Sequence, residues 1–206
     1  MPQKKYINLK RDHIFMAKDL GIVGTVGRFK PLHNGHAVVL EAMCERSIHV
    51  YIGIGSTNRY NMRNPFTKEE TQSMINLVLQ KKFSNYSFVD VPDLDNGPKW
   101  REQALQIYGK LDHFITTNDY VESLLKNDYD LIHTFTLLPN EKRIFLEATM
   151  VRIAIAKGEA WEKFVPPVIA TYLKENKLDE RFCKEFGLAT LKYAAFEYTP
   201  NNRGTI

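Results

Sequence analysis

Short apolar runs alternate with segments of helical period along residues 21–136, and this alternation limits the folds open to the chain. The first run, 21–26, is rich in small and β-branched residues and shows no apolar–polar alternation of its own, which is typical of a strand buried on both faces of a parallel sheet. Repeated strand–helix order predicts an α/β fold, a doubly wound parallel sheet of about five strands with helices on both faces and a helical C-terminal part. The predicted strands are 21–26, 48–54, 86–91, 113–117 and 131–136.

Charge, hydropathy and cysteine content limit the classes of binding partner and the cellular location that we expect for the chain. The net charge of +4 comes from lysines and arginines interleaved with acids, so we expect no nucleic-acid partner. Apolar runs stay well short of the roughly 20 residues that cross a bilayer. The first residues contain no hydrophobic signal core, so we expect no membrane partner and a cytoplasmic location. Cys44 and Cys183 lie far apart, which fits a reducing compartment and argues against structural zinc.

The turn between the first predicted strand and the first predicted helix contains several residues that can bind an anion. Two cations and two histidines, His33 and His36, lie within residues 27–36, and two glycines there let a ligand approach the backbone closely. A helix N-terminus behind such a turn favours negative charge, so the pattern predicts a phosphate site.

Other interpretations of the two histidines are weaker. A helical metal pair more often follows the H-E-x-x-H pattern, which this segment lacks, and no serine or cysteine is marked as a nucleophile for a histidine base. Two capping or surface histidines remain the plain alternative, although the crowding of cations and glycines disfavours it. A P-loop pattern is absent, and the dinucleotide fingerprint that starts at Gly53 has Asn58 in place of its third glycine.

Four polar loops follow the first four predicted strands, and they contain Arg28, Gly55, Asp93 and Thr117. Ligands of open parallel sheets bind beyond the carboxyl ends of the strands. We therefore expect these four loops to converge on one site.

At Gly27-Arg28-Phe29-Lys30-Pro31-Leu32-His33-Asn34-Gly35-His36 the chain resembles the G-R-F-x-P-x-H-x-G-H signature of the nucleotidyltransferase superfamily. More narrowly, it resembles the archaeal-type nicotinamide mononucleotide (NMN) adenylyltransferases. The resemblance continues at 53–56, 64–67, 91–93 with Asn96 and Trp100, 148–152 and 158–166. It covers about residues 21–175 and implies a Rossmann-like fold. The implied parts are an N-terminal leader, 1–20, a nucleotidyltransferase domain, 21–175, and a C-terminal helical extension with a tail, 176–206.

The resemblance implies transfer of AMP from ATP to NMN, which yields NAD and pyrophosphate, with Mg²⁺ carried in by ATP and no metal-binding residue in the chain. A phosphate monoester is already largely dianionic at neutral pH, so the reaction requires positioning and charge stabilisation rather than a base. The implied catalytic residues are His33, His36, Arg28 and Arg152. The implied ATP-binding residues are Gly27, Arg28, Phe29, Lys30, His33, Gly35, His36, Asn118, Thr149 and Arg152.

The same resemblance implies a second subsite for NMN, built from Gly55, Ser56, Asp93, Asn96 and Trp100. Trp100 would stack on the nicotinamide ring, where an aromatic face also attracts a flat cation, while Asp93 and Asn96 would bind the amide or the ribose. Relatives of this kind suggest a homo-oligomer.

Two positions depart from the family pattern. Glu147 stands where the family has serine in S-x-T-x-x-R, and Thr117 stands where the family has glycine before the adenine. A carboxylate beside a triphosphate is electrostatically unfavourable. Two alternatives therefore stay open: a nucleotidyltransferase for nicotinate mononucleotide or another small phosphate ester, and a nucleotide-binding sensor without catalysis.

Overall fold

The computed structural model describes residues 18–198, and a parallel sheet forms its centre. The strand order is β3-β2-β1-β4-β5, and every neighbouring pair is parallel. The chain therefore runs outward from β1 in one direction and then returns to its other side at β4, which makes the carboxyl end of β1 the switch point where such folds bind ligands. The strands are β1 (Ile22–Gly27), β2 (His49–Gly55), β3 (Tyr86–Val91), β4 (His113–Thr116) and β5 (Leu131–His133).

Helices cover both faces of the sheet, as the strand–helix alternation predicted. The larger core lies under α1, α2, α5, α6 and α7, and a smaller core lies under α3 and α4. This arrangement confirms the expected fold class within residues 18–198. The helices are α1 (Asn34–Arg46), α2 (Lys68–Leu79), α3 (Gly97–Tyr108), α4 (Asp119–Leu125), α5 (Ala148–Lys157), α6 (Pro167–Glu175) and α7 (Leu178–Phe196).

Local sequence signals set several helix ends. The Thr67 hydroxyl accepts from the backbone N–H of Glu70 at 3.2 Å, and the Glu70 carboxylate accepts from the N–H of Thr67 at 2.9 Å. This reciprocal capping box satisfies two donors at the start of α2. Gly158 ends α5 in the left-handed region at φ 68°, which only glycine adopts without strain.

The fifth strand is shorter than predicted. Residues 131–136 were expected to be extended, yet Thr134–Leu137 forms a 3₁₀ turn. His133 explains this difference, because its Nδ1 accepts from the N–H of Phe135 and its carbonyl accepts from the Thr136 hydroxyl. These local bonds give the backbone partners other than a neighbouring strand.

The structure describes only parts of the predicted N-terminal leader and C-terminal extension. Helix α7 continues to Phe196, beyond the predicted end at residue 191. Most of the predicted leader and the tail from residue 199 lie outside the described residues. Among residues 18–198, no helix combines the length and apolar character needed to cross a bilayer.

Helix α3 is fixed to the central strand through its last residue. The Tyr108 hydroxyl donates to the carbonyl of Thr25 on β1 at 2.7 Å. It reaches this carbonyl over Gly53 on β2, where a Cβ would lie only 1.8 Å from the hydroxyl oxygen. A glycine is therefore required at position 53 for this contact.

Candidate active site

A cleft of about 390 Å³ opens at the carboxyl edge of the sheet. The loops after β1, β2, β3 and β4 all contribute to its wall, together with the start of α5, as the parallel topology predicted. Twelve predicted site residues line it: Gly27, Arg28, Phe29, His36, Gly55, Ser56, Asp93, Asn96, Trp100, Asn118, Thr149 and Arg152. Three others, Lys30, His33 and Gly35, lie behind this wall rather than in it.

The two histidines form a reciprocal pair at the start of α1. Each Nδ1 accepts from the backbone N–H of the other residue, at 3.2 Å for His33 and 3.3 Å for His36. The rings are stacked with centroids 3.5 Å apart. Because both Nδ1 atoms accept, the proton of each neutral ring resides on Nε2, so each ring presents an N–H donor there.

Both imidazoles are neutral in the free protein. Burial lowers the pKa of His36 to about 3. Burial, with His36 and Arg152 nearby, lowers the pKa of His33 well below its ordinary value. His33 Nε2 has no hydrogen-bond partner within residues 18–198, and a buried donor of this kind favours an incoming acceptor. The pair thus carries two neutral N–H donors, of which the one on His36 belongs to a residue that lines the cleft.

The residues between β1 and α1 support this pair. Phe29 is fully buried at φ 53° and meets the His36 ring edge-on at 5.0 Å. A bulky residue in the left-handed region is held there only by its surroundings. At Gly35 a Cβ would lie 3.1 Å from the His33 ring, so this glycine lets the imidazole pack closely. Its predicted contact with a ligand stays a prediction.

The predicted cations occupy two kinds of position. Arg152 is buried, and its guanidinium donates to the carbonyl of Lys30 at 2.7 Å and to the Thr149 hydroxyl at 3.0 Å. Burial, Arg28 and Arg63 lower the pKa of Arg152 to about 9. The Lys30 ammonium instead donates to the backbone carbonyl of Ser56 at 3.2 Å, and burial lowers its pKa to about 8. Lys30 thus joins two loops of the site from behind.

The far end of the cleft has a different character. Trp100 is partly buried in the first turns of α3. Asp93 accepts from the Ser56 hydroxyl at 3.4 Å and from the N–H of Asp95 at 3.1 Å. The side-chain oxygen of Asn96 caps α3 by accepting from the N–H of Lys99, which leaves its amide nitrogen as a donor. An aromatic face beside an acid and an amide suits a flat polar ring.

Asn118 and Thr117 connect β4 to α4. The Asn118 side chain accepts from the backbone N–H groups of Tyr120 and Val121, so its oxygen is used as a helix cap. Thr117 is buried, and its φ is not positive. The backbone here therefore accommodates the Cβ that replaces the family glycine.

Glu147, the other departure, does enter the cleft. It is the residue before α5, is 9% exposed and makes no side-chain capping bond to that helix. The hydroxyl of Tyr198 donates to its carboxylate at 3.3 Å. Burial and this carboxylate raise the pKa of Tyr198 to about 12.

Sequence reasoning missed Arg63. Its guanidinium lies over the Tyr193 ring at 5.7 Å from the centroid, and it contributes to the low pKa values of Arg28 and Arg152. The available signal was its place directly before the 64–67 motif, on the loop that follows β2. Tyr120, which lines the cleft at the start of α4, was also missed.

A parallel sheet whose carboxyl edge brings Arg28, Arg152 and His36 into one cleft with an aromatic side chain defines an α/β protein. This lining favours a phosphorylated ligand with a ring. Comparisons with known proteins agree. The cytidylyltransferase-like family profile matches residues 25–176. The chain is 34% identical over 161 residues to the nicotinamide-nucleotide adenylyltransferase of Thermococcus sibiricus, covering 76% of this chain and 84% of that protein. It is 32% identical to the enzyme of the same name from Thermococcus onnurineus, over 76% and 83% of the two chains.

A solved structure shares the fold. It is the bifunctional NMN adenylyltransferase/ADP-ribose pyrophosphatase of Francisella tularensis, complexed with AMP and a manganese ion, with a TM-score of 0.61 and 19% identity. The match covers 88% of this chain but only 58% of that one. The chain belongs to the cytidylyltransferase-like family, in the group of the archaeal nicotinamide-nucleotide adenylyltransferases, which confirms the resemblance found in the sequence.

Proposed function

We propose that this chain transfers the adenylyl group of ATP to nicotinamide mononucleotide. The observation that carries the proposal is the two-ended cleft, which has Arg28, Arg152 and His36 at one end and Trp100 with Asp93 and Asn96 at the other. A triphosphate fits the first end and a pyridine mononucleotide fits the second. Relatives more than 30% identical over most of their length carry the name of this reaction.

The reaction needs no general base. An oxygen of the NMN phosphate attacks the α-phosphorus of ATP, the bond from that phosphorus to the bridging oxygen breaks, and the electron pair leaves with pyrophosphate. The nucleophile is already ionised near neutral pH, because the second pKa of a phosphate monoester is near 6. The protein's task is to align two anions and to stabilise the charge that moves toward the leaving group.

The phosphate end of the cleft supplies these stabilising groups. His36 presents Nε2–H in the cleft, and His33 carries the same tautomer directly behind it. Arg28 and Arg152 add positive charge at the start of α5, whose amides also favour anions. We assign the β- and γ-phosphates to the two arginines and the transition-state hydrogen bond to His36. Gly27, Phe29, Asn118 and Thr149 complete the proposed ATP subsite.

Mg²⁺ would enter as the MgATP substrate complex. Within residues 18–198, no group of three or more histidines, cysteines or acids is arranged to hold an ion. The oxygens of a triphosphate are hard ligands that Mg²⁺ prefers. The bound ion would neutralise part of the charge that develops on the leaving group.

The pyridine end favours nicotinamide over nicotinate. Asp93 would face a carboxylate with like charge, whereas it can accept hydrogen bonds from an amide or a ribose hydroxyl. Gly55 and Ser56 would lie beside the NMN phosphate and ribose. Glu147 in the cleft favours one further candidate, a protein that binds nucleotides without turnover.

Pyrophosphate release separates these candidates. Purified protein with MgATP is assayed over a panel of NMN, nicotinate mononucleotide and other phosphate esters. We expect turnover with NMN and a loss of about 10² in kcat for His36→Ala. His49→Gln is the matched control, because that histidine lies on β2 and bonds to Ser87. Turnover with another ester alone would reject the substrate, and ATP binding without any release would reject catalysis.

The cellular setting is part of the same proposal. We propose a cytoplasmic homo-oligomer that handles small nucleotides without binding nucleic acid. Light scattering coupled to gel filtration measures the mass directly, and a single-chain mass of 23.9 kDa would reject the oligomer.

A further inference from the structure

A second pocket of about 190 Å³ continues from the phosphate end of the cleft. The two cavities share Arg28, Thr149 and Arg152, so an extended ligand can pass from one into the other. Helix α7 forms one wall of this second pocket through Thr190 and Tyr193. This helix lies beyond residues 25–176, which the family profile matches, so the family signature assigns it no role.

The charge of this pocket suits a highly charged anion. Among residues 18–198 its lining includes three arginines and no acid, and consists of Arg28, Met62, Arg63, Thr149, Arg152, Thr190 and Tyr193. The pKa of Arg28 is lowered by burial and by Arg63. Cations held this close repel one another until an anion enters. Tyr193 supports the arrangement by stacking under Arg63.

Thr190 provides an independent sign of a ligand. It is 3% exposed, and its hydroxyl has no hydrogen-bond partner within residues 18–198. Burial of a hydroxyl without a partner is unfavourable. A helical threonine populates two χ1 rotamers, so one rotation can turn the hydroxyl toward the pocket when an acceptor arrives.

We propose that Thr190 binds the terminal phosphate of ATP and, after transfer, the pyrophosphate leaving group. The hydroxyl donates one hydrogen bond to a phosphoryl oxygen from the α7 side of the second pocket. This inference rests on the proposed function, since it takes ATP to occupy the adjoining cleft. It makes α7 part of the substrate site rather than an appendage of the fold.

The test is calorimetric titration of the full chain with ATP, inorganic pyrophosphate and AMP, without NMN. For Thr190→Val we expect the Kd of ATP and of pyrophosphate to rise about tenfold, while the Kd of AMP changes less than about twofold. The melting temperature of the free protein should not fall, because the hydroxyl has no hydrogen-bond partner among residues 18–198 to lose. Thr190→Ser should retain the affinity for ATP and pyrophosphate.

Thr134→Val is the matched control. Thr134 is also buried, at 1% exposed, and its hydroxyl likewise lacks a partner among residues 18–198, but it lines neither pocket. This variant should bind all three ligands as the parent does. If Thr190→Val proves unfolded, the ligand affinities of Thr190→Ala and Thr190→Ser are compared instead.

Three results would overturn the inference: unchanged ATP and pyrophosphate affinity in folded Thr190→Val, an equal loss for AMP, or failure of Thr190→Ser to retain binding. A different result would reject the proposed function alone. If pyrophosphate binding depends on Thr190 but NMN is not turned over, adenylyl transfer is rejected and the role of Thr190 is retained. A parent protein that binds neither ATP nor pyrophosphate would reject both.

Discussion

We expect the carboxylate of Glu147 to oppose ATP binding, so its removal should raise the affinity for ATP. The residue stands directly before α5 in the cleft, where the positive end of the helix would otherwise face the triphosphate. We expect Glu147→Gln to bind ATP more tightly than the parent. Glutamine keeps the size of the side chain and an oxygen that can accept from Tyr198, while it removes the negative charge.

The expected magnitude follows from the burial of this group. A charge at a helix terminus contributes about 0.3–1 kcal/mol at exposed positions and about 2 kcal/mol in favourable partly buried ones. Glu147 is 9% exposed, so solvent screens it weakly. The estimate is therefore about 1–2 kcal/mol, or about 5- to 30-fold in the Kd of ATP.

Calorimetric titration with ATP and with AMP measures this effect. AMP lacks the β- and γ-phosphates that we assign to the arginines beside α5, so its Kd should change less. Glu141→Gln is the control, since Glu141 is an exposed acid in the neighbouring 3₁₀ turn, Asn140–Lys142. Weaker ATP binding by Glu147→Gln would refute the repulsion and would indicate that the carboxylate assists through a bound cation.

Three further outcomes are expected. Trp100→Ala should raise the KM for NMN about tenfold and leave the KM for ATP unchanged, with Trp100→Phe intermediate; equal effects on both substrates would contradict stacking. The buried histidines have pKa values below that of unfolded histidine, so the unfolded state binds more protons as pH falls below about 6.5. Urea denaturation should show a loss of up to about 1.4 kcal/mol per pH unit for each histidine between pH 6.5 and 5, and an unchanged slope in His36→Asn would contradict this. Arg152→Gln should weaken ATP binding more than tenfold and cost about 1–3 kcal/mol of unfolding free energy, because the Lys30 carbonyl loses its donor; calorimetry and urea denaturation measure the two effects.

The sheet was predictable because each strand is recognisable from its own sequence, without knowledge of its neighbours. Buried parallel strands consist of β-branched runs bounded by turns, and Tyr86–Val91 was predicted with its observed ends. The last strand was predicted too long, since His133 supplies local hydrogen bonds that end the ladder. Competition between side-chain and strand hydrogen bonding is not visible in an apolar pattern.

The site was predictable in position but not in every role. Parallel topology alone brings the ends of four strands together, which placed Arg28, Ser56, Asp93 and Asn118 in one cleft. The direction of a side chain within a turn depends on packing, however, so the sequence could not show that the Lys30 ammonium donates to the Ser56 carbonyl. Its contact with ATP stays a prediction.

Residues contributed by α7 were beyond sequence reasoning for a different reason. Tyr193 meets Arg63 only because a distant helix packs across the loop after β2. No local period or spacing encodes such a meeting. An amphipathic helix was foreseen, but its partner was not.

Helix α3 is fixed to the central strand at one end, so a small tilt of the helix displaces the residues at its other end. Tyr108 fixes its last residue to the Thr25 carbonyl, while Trp100 lies eight residues earlier, about 12 Å along the axis. A tilt of about 5° about the anchored end would move the indole by about 1 Å, which is enough to spoil stacking on a bound ring. The orientation of the proposed pyridine subsite thus depends on a buried hydroxyl, and a substitution at Gly53 that displaces Tyr108 would also shift Trp100 in the cleft.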